Sequence, residues 1–255
     1  MEKIKVCTFN LRMEVKGDGI NMFTNRTPYI REAIRRESPD IIGFQEVRPH
    51  MLVWLRDTFP EYTVVGAGRG SDYKDESNPV LFKKDKFDFI SYDMFWLSKT
   101  PFVPGTLYDD NCGCPRICVV ITLKLAEGEK LFRVYNTHLD HVSDEARKNG
   151  IKMILERMDK DDERIKVPQL LMGDMNAYPD SLPIQYVMTC DNRKFQDLTS
   201  EIKTTYHAYG THSAKIDYIF ASGNVTGSDA KVWDDCHDGV YLSDHYPVSV
   251  DVELN

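Results

Sequence analysis

The chain lacks any long apolar run. No stretch approaches the roughly 20 apolar residues that a membrane-spanning helix needs, so no membrane span is expected. It also lacks a secretory-type start. Met1-Glu2-Lys3-Ile4-Lys5-Val6 alternates like a strand instead of forming an apolar block, and a cytoplasmic location is the expectation. It has no basic excess: 32 Lys and Arg stand against 40 Asp and Glu, a net charge of -8. Extended coating of duplex nucleic acid is therefore not expected, although a local basic groove stays open, and the acidic total suits a site that gathers divalent metal. Paired Cys-x-x-Cys knuckles are missing too. Of the six cysteines, only Cys112, Cys114 and Cys118 cluster, and Cys118 opens an apolar run. Free thiols in a reducing compartment are the reading. Long linkers, low-complexity tracts and fixed-period repeats are absent, so the 255 residues are expected to form a single domain spanning 1–255. No obligate protein partner is evident.

What is present is a series of short apolar segments with polar ends. Ile4–Asn10 reads as a strand, and Thr27-Pro28 as a cap and first turn of a helix carrying Tyr29, Ile30, Ala33 and Ile34. Ile41–Phe44 reads as a strand ending in Gln45-Glu46, Met51–Phe59 as a short helix and Tyr62–Val65 as a strand. Gly66-Ala67-Gly68-Arg69-Gly70 lacks the spacing of a dinucleotide or P-loop cradle and reads as a flexible surface loop. Val80–Lys83 and Phe87–Tyr92 suggest a hairpin turning at Lys84-Asp85-Lys86, and Ser98–Pro115 a long loop. Arg116–Leu125 and Leu131–Asn136 suggest another hairpin, with Glu127-Gly128-Glu129 as its turn. Ser143 caps a helix whose buried stripe is Ile151, Ile154, Leu155 and Met158, and the charged run Lys160–Lys166 reads as a solvated connection. Further strands are expected at Val167–Met172, Ile216–Ala221, Ala230–Trp233 and Val248–Leu254, with a short helix at Leu182–Met188. The two halves echo each other: strands, an amphipathic helix, then a strand ending in an acidic residue. Two sheets packed face to face with helices outside fit this pattern.

The central strand runs into Gly173-Asp174-Met175-Asn176. Residues i and i+2 of a strand share a face, so Asp174 and Asn176 are expected to present a carboxylate and an amide oxygen to one spot. Asp and Asn also end strands because they tolerate turns, and this motif alone leaves both readings open. The other strand ends weigh in. Asn10, Glu46, His138, Asp140, Asp217, Asp244 and His245 each follow or interrupt core-like residues. Charged groups are seldom buried unless paired or bound to metal. Together they suggest one shared polar site at the rim of a sandwich.

The ordered set Thr-Phe-Asn-Leu-Arg, Gly-Phe-Gln-Glu-Val, Asn-Thr-His-Leu-Asp, Gly-Asp-Met-Asn-Ala, Ile-Asp-Tyr-Ile and Ser-Asp-His-Tyr-Pro-Val resembles the endonuclease/exonuclease/phosphatase superfamily of DNase I-like hydrolases from Asn10 to Pro247. The resemblance implies an α/β fold, a four-layer α/β/β/α sandwich of two mixed sheets with helices outside, and Mg²⁺- or Mn²⁺-dependent phosphoester hydrolysis. It implies a metal-binding Glu46, with Asn10 and Asp244 helping to place the metal. It makes Asp174 the residue that orients or deprotonates the attacking water, with Asn176 beside it. His245 resembles the catalytic histidine, Asp217 the carboxylate that orients it, and His138 a phosphate contact. By the same resemblance Glu76 would pair with His138, or be a plain loop carboxylate. Arg116 would reach a substrate phosphate, or close a salt bridge at a strand end. His207 is either structural or substrate-contacting, and Asp140 and His141 are similar rim candidates.

Substrate identity stays open. The loops Met13–Arg26, Gly66–Ser77 and Thr100–Pro115 would read it, with Arg26, Arg69, Lys74, Lys99, Phe23, Tyr73, Phe102 and Tyr108 available. Phe95-Trp96-Leu97-Ser98 and Cys114-Pro115-Arg116 resemble a compact bacterial branch near the deadenylase-like group. The candidate partners are a phosphorylated small molecule or a single-stranded nucleic acid. The readings are a phosphodiesterase or phosphomonoesterase, a single-strand-specific 3′–5′ RNA nuclease, and an inactive binding module.

Overall fold

A computed structural model describes residues 3–109, 111–128 and 130–255. In chain order the elements are β1 (Lys3–Asn10), a 3-10 helix (Lys16–Asn21), α1 (Phe23–Glu37), β2 (Ile41–Gln45), α2 (Pro49–Thr58), β3 (Tyr62–Val65), β4 (Val80–Lys83), β5 (Phe87–Trp96), β6 (Ile117–Leu125), β7 (Leu131–His138), α3 (Asp144–Arg164), β8 (Gln169–Asp174), α4 (Leu182–Met188), β9 (Phe195–Asp197), β10 (Asp217–Ser222), β11 (Val225–Val232), β12 (Cys236–His237), β13 (Val240–Tyr241) and β14 (Val248–Leu254).

Among the described residues two six-stranded mixed sheets form, ordered β11-β14-β1-β2-β4-β3 and β5-β6-β7-β8-β10-β9. Strand alternation sorts the apolar residues into layers. From β1, Ile4 and Val6 face the second sheet, where they meet Val119, Val134 and Met172. Cys7 and Phe9, on the other face, pack with Ile30 and Ile34 of α1 and Met51 and Leu55 of α2. In the second sheet Tyr135 and Leu171 turn outward to Ile151, Ile154 and Met158 of α3 and Ile184 of α4. Three apolar seams between four layers make the α/β/β/α sandwich. Ser143 caps α3 as expected, its Oγ accepting from the Ala146 N–H at 3.1 Å.

Several local expectations give way. α1 begins a turn early, at Phe23, and carries Pro28 inside it. Proline has no N–H for the Thr24 carbonyl, and the Thr27 hydroxyl donates there instead at 2.9 Å, so the helix continues. β4 and β5 are not a hairpin. β4 pairs with β2 and β3 in the first sheet, and β5 pairs with β6 in the second. Lys84-Asp85-Lys86 therefore crosses between the sheets. The run Lys160–Lys166 is not simply a solvated connection: α3 extends to Arg164, and buried Asp161 accepts from the Tyr135 hydroxyl at 2.8 Å. β11 begins at Val225, five residues before the expected strand. β6 and β7 do pair antiparallel; Glu129 of their turn, like Met1 and Glu2 at the start, lies outside the described residues. No described helix is long and apolar enough to cross a membrane.

Candidate active site

Strand direction concentrates the polar residues. β1 runs parallel to β2, so Asn10 lies beside Gln45, with Glu46 next. β7 runs parallel to β8, so His138 lies beside Asp174, and antiparallel β10 sets Asp217 on the other side of Asp174. His138, Asp174 and Asp217 thus form one row across the second sheet, facing Asn10 and Glu46 from the first. Carboxyl ends of parallel strands are where open sheets place ligand chemistry. The backbone there is unusual. Arg12, Glu46 and Asn176 all adopt left-handed conformations, with φ of 52°, 60° and 45°. Gly173, at φ 139°, lies where a Cβ would overlap the Thr137 carbonyl oxygen, so only glycine lets β8 close on β7 just before Asp174.

Hydrogen bonds knit the set together. Asn10 Nδ2 donates to Glu46 Oε1 at 3.1 Å and to Asp174 Oδ2 at 3.0 Å, bridging the two sheets. Its oxygen accepts from the Arg12 N–H at 3.0 Å. Asn10 is therefore a donor that holds two carboxylates together, with its own oxygen committed to the Arg12 N–H. His245 Nδ1 and Asp217 Oδ2 are 2.9 Å apart. His245 Nε2 lies 3.7 Å, and His138 Nε2 3.5 Å, from Asp174 Oδ2. Asn176 sits beyond the end of β8, not within it. Its N–H donates to Asp174 Oδ1 at 2.8 Å and its side-chain amide to the Leu139 carbonyl at 3.0 Å. The pair is a turn that fixes the Asp174 carboxylate.

Electrostatics separates the roles. Burial pushes Asp174 up, to about 7, with Asp217 adding to it against His245 and the Asn176 and Asn10 donors. Burial opposes charge on His245, yet Asp217, Asp174 and Asp244 outweigh it and hold the imidazole protonated, up to about 10. His138 goes the other way. Burial and the positive Arg116 and Arg69 keep it far below the usual range, hence neutral. Burial raises Asp244 as well, reinforced by Glu46. Glu46 stays low despite burial, because the Met13 N–H, Asn10, His245 and Arg12 stabilise its charge.

A cavity of about 460 Å³ opens on this row, lined by Glu46, Asp174, Asn176, Asp244, His138 and His245 and, on its other wall, by Arg69, Glu76, Arg116, Cys114, His141 and Tyr206. Asn10 and Asp217 stand behind the wall. The expected Glu76–His138 pair is not made: Glu76 Oε1 accepts from Arg69 Nη2 at 2.8 Å, and His138 Nδ1 has no hydrogen-bond partner. Arg116 does reach the cavity. Its Nη2 meets His141 Nδ1 at 2.9 Å, while its buried Nε and Nη1, like Arg69 Nε, lack hydrogen-bond partners among the described residues.

Arg12 was not singled out by the sequence, and Arg69 was named there only as one of several loop residues open to a substrate. Arg69 comes from the Gly-rich stretch, which is no loose loop. Gly68 and Gly70 donate their N–H groups to the Tyr73 and Lys74 carbonyls, and a Cβ at Gly68 would overlap the Lys74 carbonyl. Arg12 lies two residues beyond Asn10, the spacing that was noticed at Asp174 and Asn176. Arg26, by contrast, is no substrate contact. It is fully buried and donates to the carbonyls of Asn21, Leu11, Leu242 and Arg12. Phe23, Tyr73, Phe102 and Tyr108 do not line the cavity. His207 is structural, stacked on Tyr246 at 3.9 Å.

The donor chemistry suits a hard divalent cation. Asp174 and Asp244 are buried carboxylates and Glu46 a half-buried one around the same cavity, and Asp217 Oδ1 is buried without a hydrogen-bond partner among the described residues. Asp174, Asp217 and His245 also bring ligand atoms within 4.8 Å of one another, but His245 Nδ1 is spent on Asp217, which makes those two an oriented acid–base pair. Cys114, Asp140 and His141 are similarly close. Asp140 there is committed to the N–H groups of Gly113, Val142 and Ser143, and His141 to Arg116. A guanidinium already serves that corner. A larger cavity of about 840 Å³ lies far from these strand ends, between the end of α3 and the start of β8. Its Arg193 is paired with Asp159 and Asp162, and it holds none of the expected site residues.

The model of the Endonuclease/Exonuclease/phosphatase family matches residues 7–245. The chain is similar to a solved endonuclease/exonuclease/phosphatase from Bacteroides vulgatus, at 28% identity and TM-score 0.93, with all of both chains covered. It is similar to a mannosyl-6-phosphatase from Bacteroides thetaiotaomicron, at 25% identity and TM-score 0.88, covering 98% of this chain and 100% of that one. D. rerio TDP2 complexed with a single-strand DNA product shares the fold, at 14% identity and TM-score 0.77, covering 99% and 100%.

Proposed function

This chain belongs to the endonuclease/exonuclease/phosphatase family, and from that premise we propose that it is a Mg²⁺- or Mn²⁺-dependent phosphomonoesterase acting on a small phosphorylated molecule, with sugar phosphates the first class to test. One observation carries the reading. Two arginines, Arg69 and Arg116, line the same cavity as the carboxylate row and keep buried guanidinium nitrogens that make no hydrogen bond among the described residues: Arg116 Nη1, and the two Nε atoms, which have only an aspartate oxygen at 3.5 Å (Asp75) or 3.8 Å (Asp140). Buried donors without partners are costly unless a ligand satisfies them, and a terminal phosphate offers the matching fork of oxygens. The likeness to a mannosyl-6-phosphatase supports the choice of substrate class.

Glu46 and Asp244 would hold the metal, which when bound supplies charge neutralisation to the phosphoryl oxygens. Asp174, fixed by Asn10 and the Asn176 turn, orients water and takes its proton; a carboxylate poised near 7 suits that task. His245, held protonated by Asp217, stabilises negative charge as it builds. Neutral His138 and the two arginines grip the phosphate. Glu76, anchored by Arg69, is left to accept a hydroxyl of the leaving group.

The test is phosphate release from a sugar-phosphate panel, beside a generic phosphodiester and a short single-stranded RNA, each with Mg²⁺, Mn²⁺ or chelator. Metal-dependent release confined to monoesters, with KM raised at least tenfold in Arg116→Ala, supports the proposal. Cleavage of the RNA instead would favour a single-strand nuclease. No hydrolysis of any substrate would favour a binding module.

A further inference from the structure

We propose that Arg12 is the resident counter-ion of the Glu46–Asp244 carboxylate pair, and that its charge sets how tightly the pair takes a divalent cation. The inference rests on the reading that Glu46 and Asp244 hold the metal. Arg12 follows the end of β1 in a left-handed conformation, which turns its side chain back over the site. It is fixed through its backbone N–H and carbonyl and through two of its guanidinium nitrogens. Its N–H donates to Asn10 Oδ1 at 3.0 Å, and its carbonyl accepts from Arg26 Nη2 at 2.8 Å. Its guanidinium makes two hydrogen bonds to Asp18, at 3.1 and 3.2 Å. Asp18 is itself held by the Tyr209 hydroxyl at 3.0 Å.

So tethered, the guanidinium stands 4.0 Å from Glu46 Oε2 and 3.7 Å from Asp244 Oδ2. These distances are within ion-pair range and beyond hydrogen-bond reach. That placement matters. A guanidinium bonded to the two carboxylates would consume the oxygens a metal needs, and one farther away would leave two buried like charges facing each other. Arg12 offsets their charge without itself taking a lone pair from either, because Asp18 holds its Nε and Nη2 donors. Burial opposes the charge on Arg12, but Asp18, Asp244 and Glu46 together more than restore it, so it is a permanent cation. A divalent ion entering between Glu46 and Asp244 must therefore bind against it.

The sign of the effect separates this role from a merely structural one. Losing a structural support would weaken metal binding, whereas losing a resident cation strengthens it. Mn²⁺ alone is titrated calorimetrically into the full chain, as wild type, Arg12→Gln, Arg12→Lys, Asp18→Asn and Glu46→Gln. Melting is followed in chelator and in Mn²⁺. Arg12→Gln is expected to bind Mn²⁺ about tenfold more tightly, to melt lower in chelator, and to gain more from Mn²⁺ than wild type does. Arg12→Lys keeps the charge and should stay within about threefold of wild type. Asp18→Asn frees the guanidinium to move onto the carboxylates and should weaken binding several-fold; it carries the test if Arg12→Gln does not fold. Equal or weaker Mn²⁺ binding by folded Arg12→Gln, or unchanged binding by Asp18→Asn, overturns the inference while loss of binding in Glu46→Gln leaves the metal reading standing. If Glu46→Gln binds Mn²⁺ like wild type, the metal reading falls and the inference with it.

Discussion

Asp40 and Asp174 are both buried aspartates beside central strands, and their surroundings are opposite. Asp40 precedes β2. It accepts from the Lys5 N–H at 2.8 Å, Lys83 Nζ at 3.0 Å and Lys86 Nζ at 2.7 Å. Burial alone would raise its carboxyl, yet these donors hold it below the ordinary range. Asp174 ends β8 among Asp217, His138 and His245, and burial with the Asp217 charge lifts it. One carboxylate is over-supplied with cations and ties strands together. The other is under-supplied and stays available to a ligand. Stability and chemistry demand contrary treatment of the same side chain.

The largest effect that tests this contrast is on catalysis. Glu46→Ala, Asp174→Ala and His245→Ala should each lower kcat/KM for the best substrate by at least about 10³-fold while circular dichroism and melting stay near wild type. Full metal-dependent activity in all three would place the chemistry elsewhere. Next comes stability. Asp40→Asn should cost about 2 kcal/mol in denaturant unfolding and leave kcat/KM within about twofold, because it strips a carboxylate from two lysines. Asp174→Asn should cost nothing or stabilise the protein in chelator, since it removes a repelling charge. If both variants lost the same stability, the contrast would be void.

A third effect is in the pH dependence. Asp40 is depressed in the folded state, so its contribution is complete above the ordinary carboxylate pKa of about 3.9 and is lost as pH falls through its lower folded value. Asp174 is raised to about 7, so in chelator its folded form loses stability as pH climbs from about 4 toward 7. Melts in chelator across that window should show the gap between Asp174→Asn and wild type widening with pH. A gap that narrows would reverse the assignment.

Much of this was legible beforehand, for a reason visible in particular residues. Asn10, Glu46, His138, Asp174 and Asp217 sit at or next to strand ends, where strand direction gathers them, and Asp244 and His245 join them from the segment before β14. Partners were less legible. The Glu76 carboxylate was open between His138 and no partner and is found on Arg69, because Glu76 and Arg69 lie on one loop whose course depends on contacts far along the chain. Arg26 looked like a substrate arginine and is a buried clamp on four carbonyls that come from three separate segments.

By itself, then, the sequence determined the layers and named the polar residues that the fold gathers at the cavity. Periodicity of two or 3.6 is a local property, and so is the chemistry of a residue that interrupts it. Tertiary structure decided which sheet each strand joined, sending Val80–Lys83 and Phe87–Trp96 to different ones. It also decided which cation faces which carboxylate, turning Arg12 toward Glu46 and Asp244 and Arg69 toward Glu76. Those choices depend on distances across the fold, because a charge acts on whatever lies within a few ångströms of it, however far away in the chain.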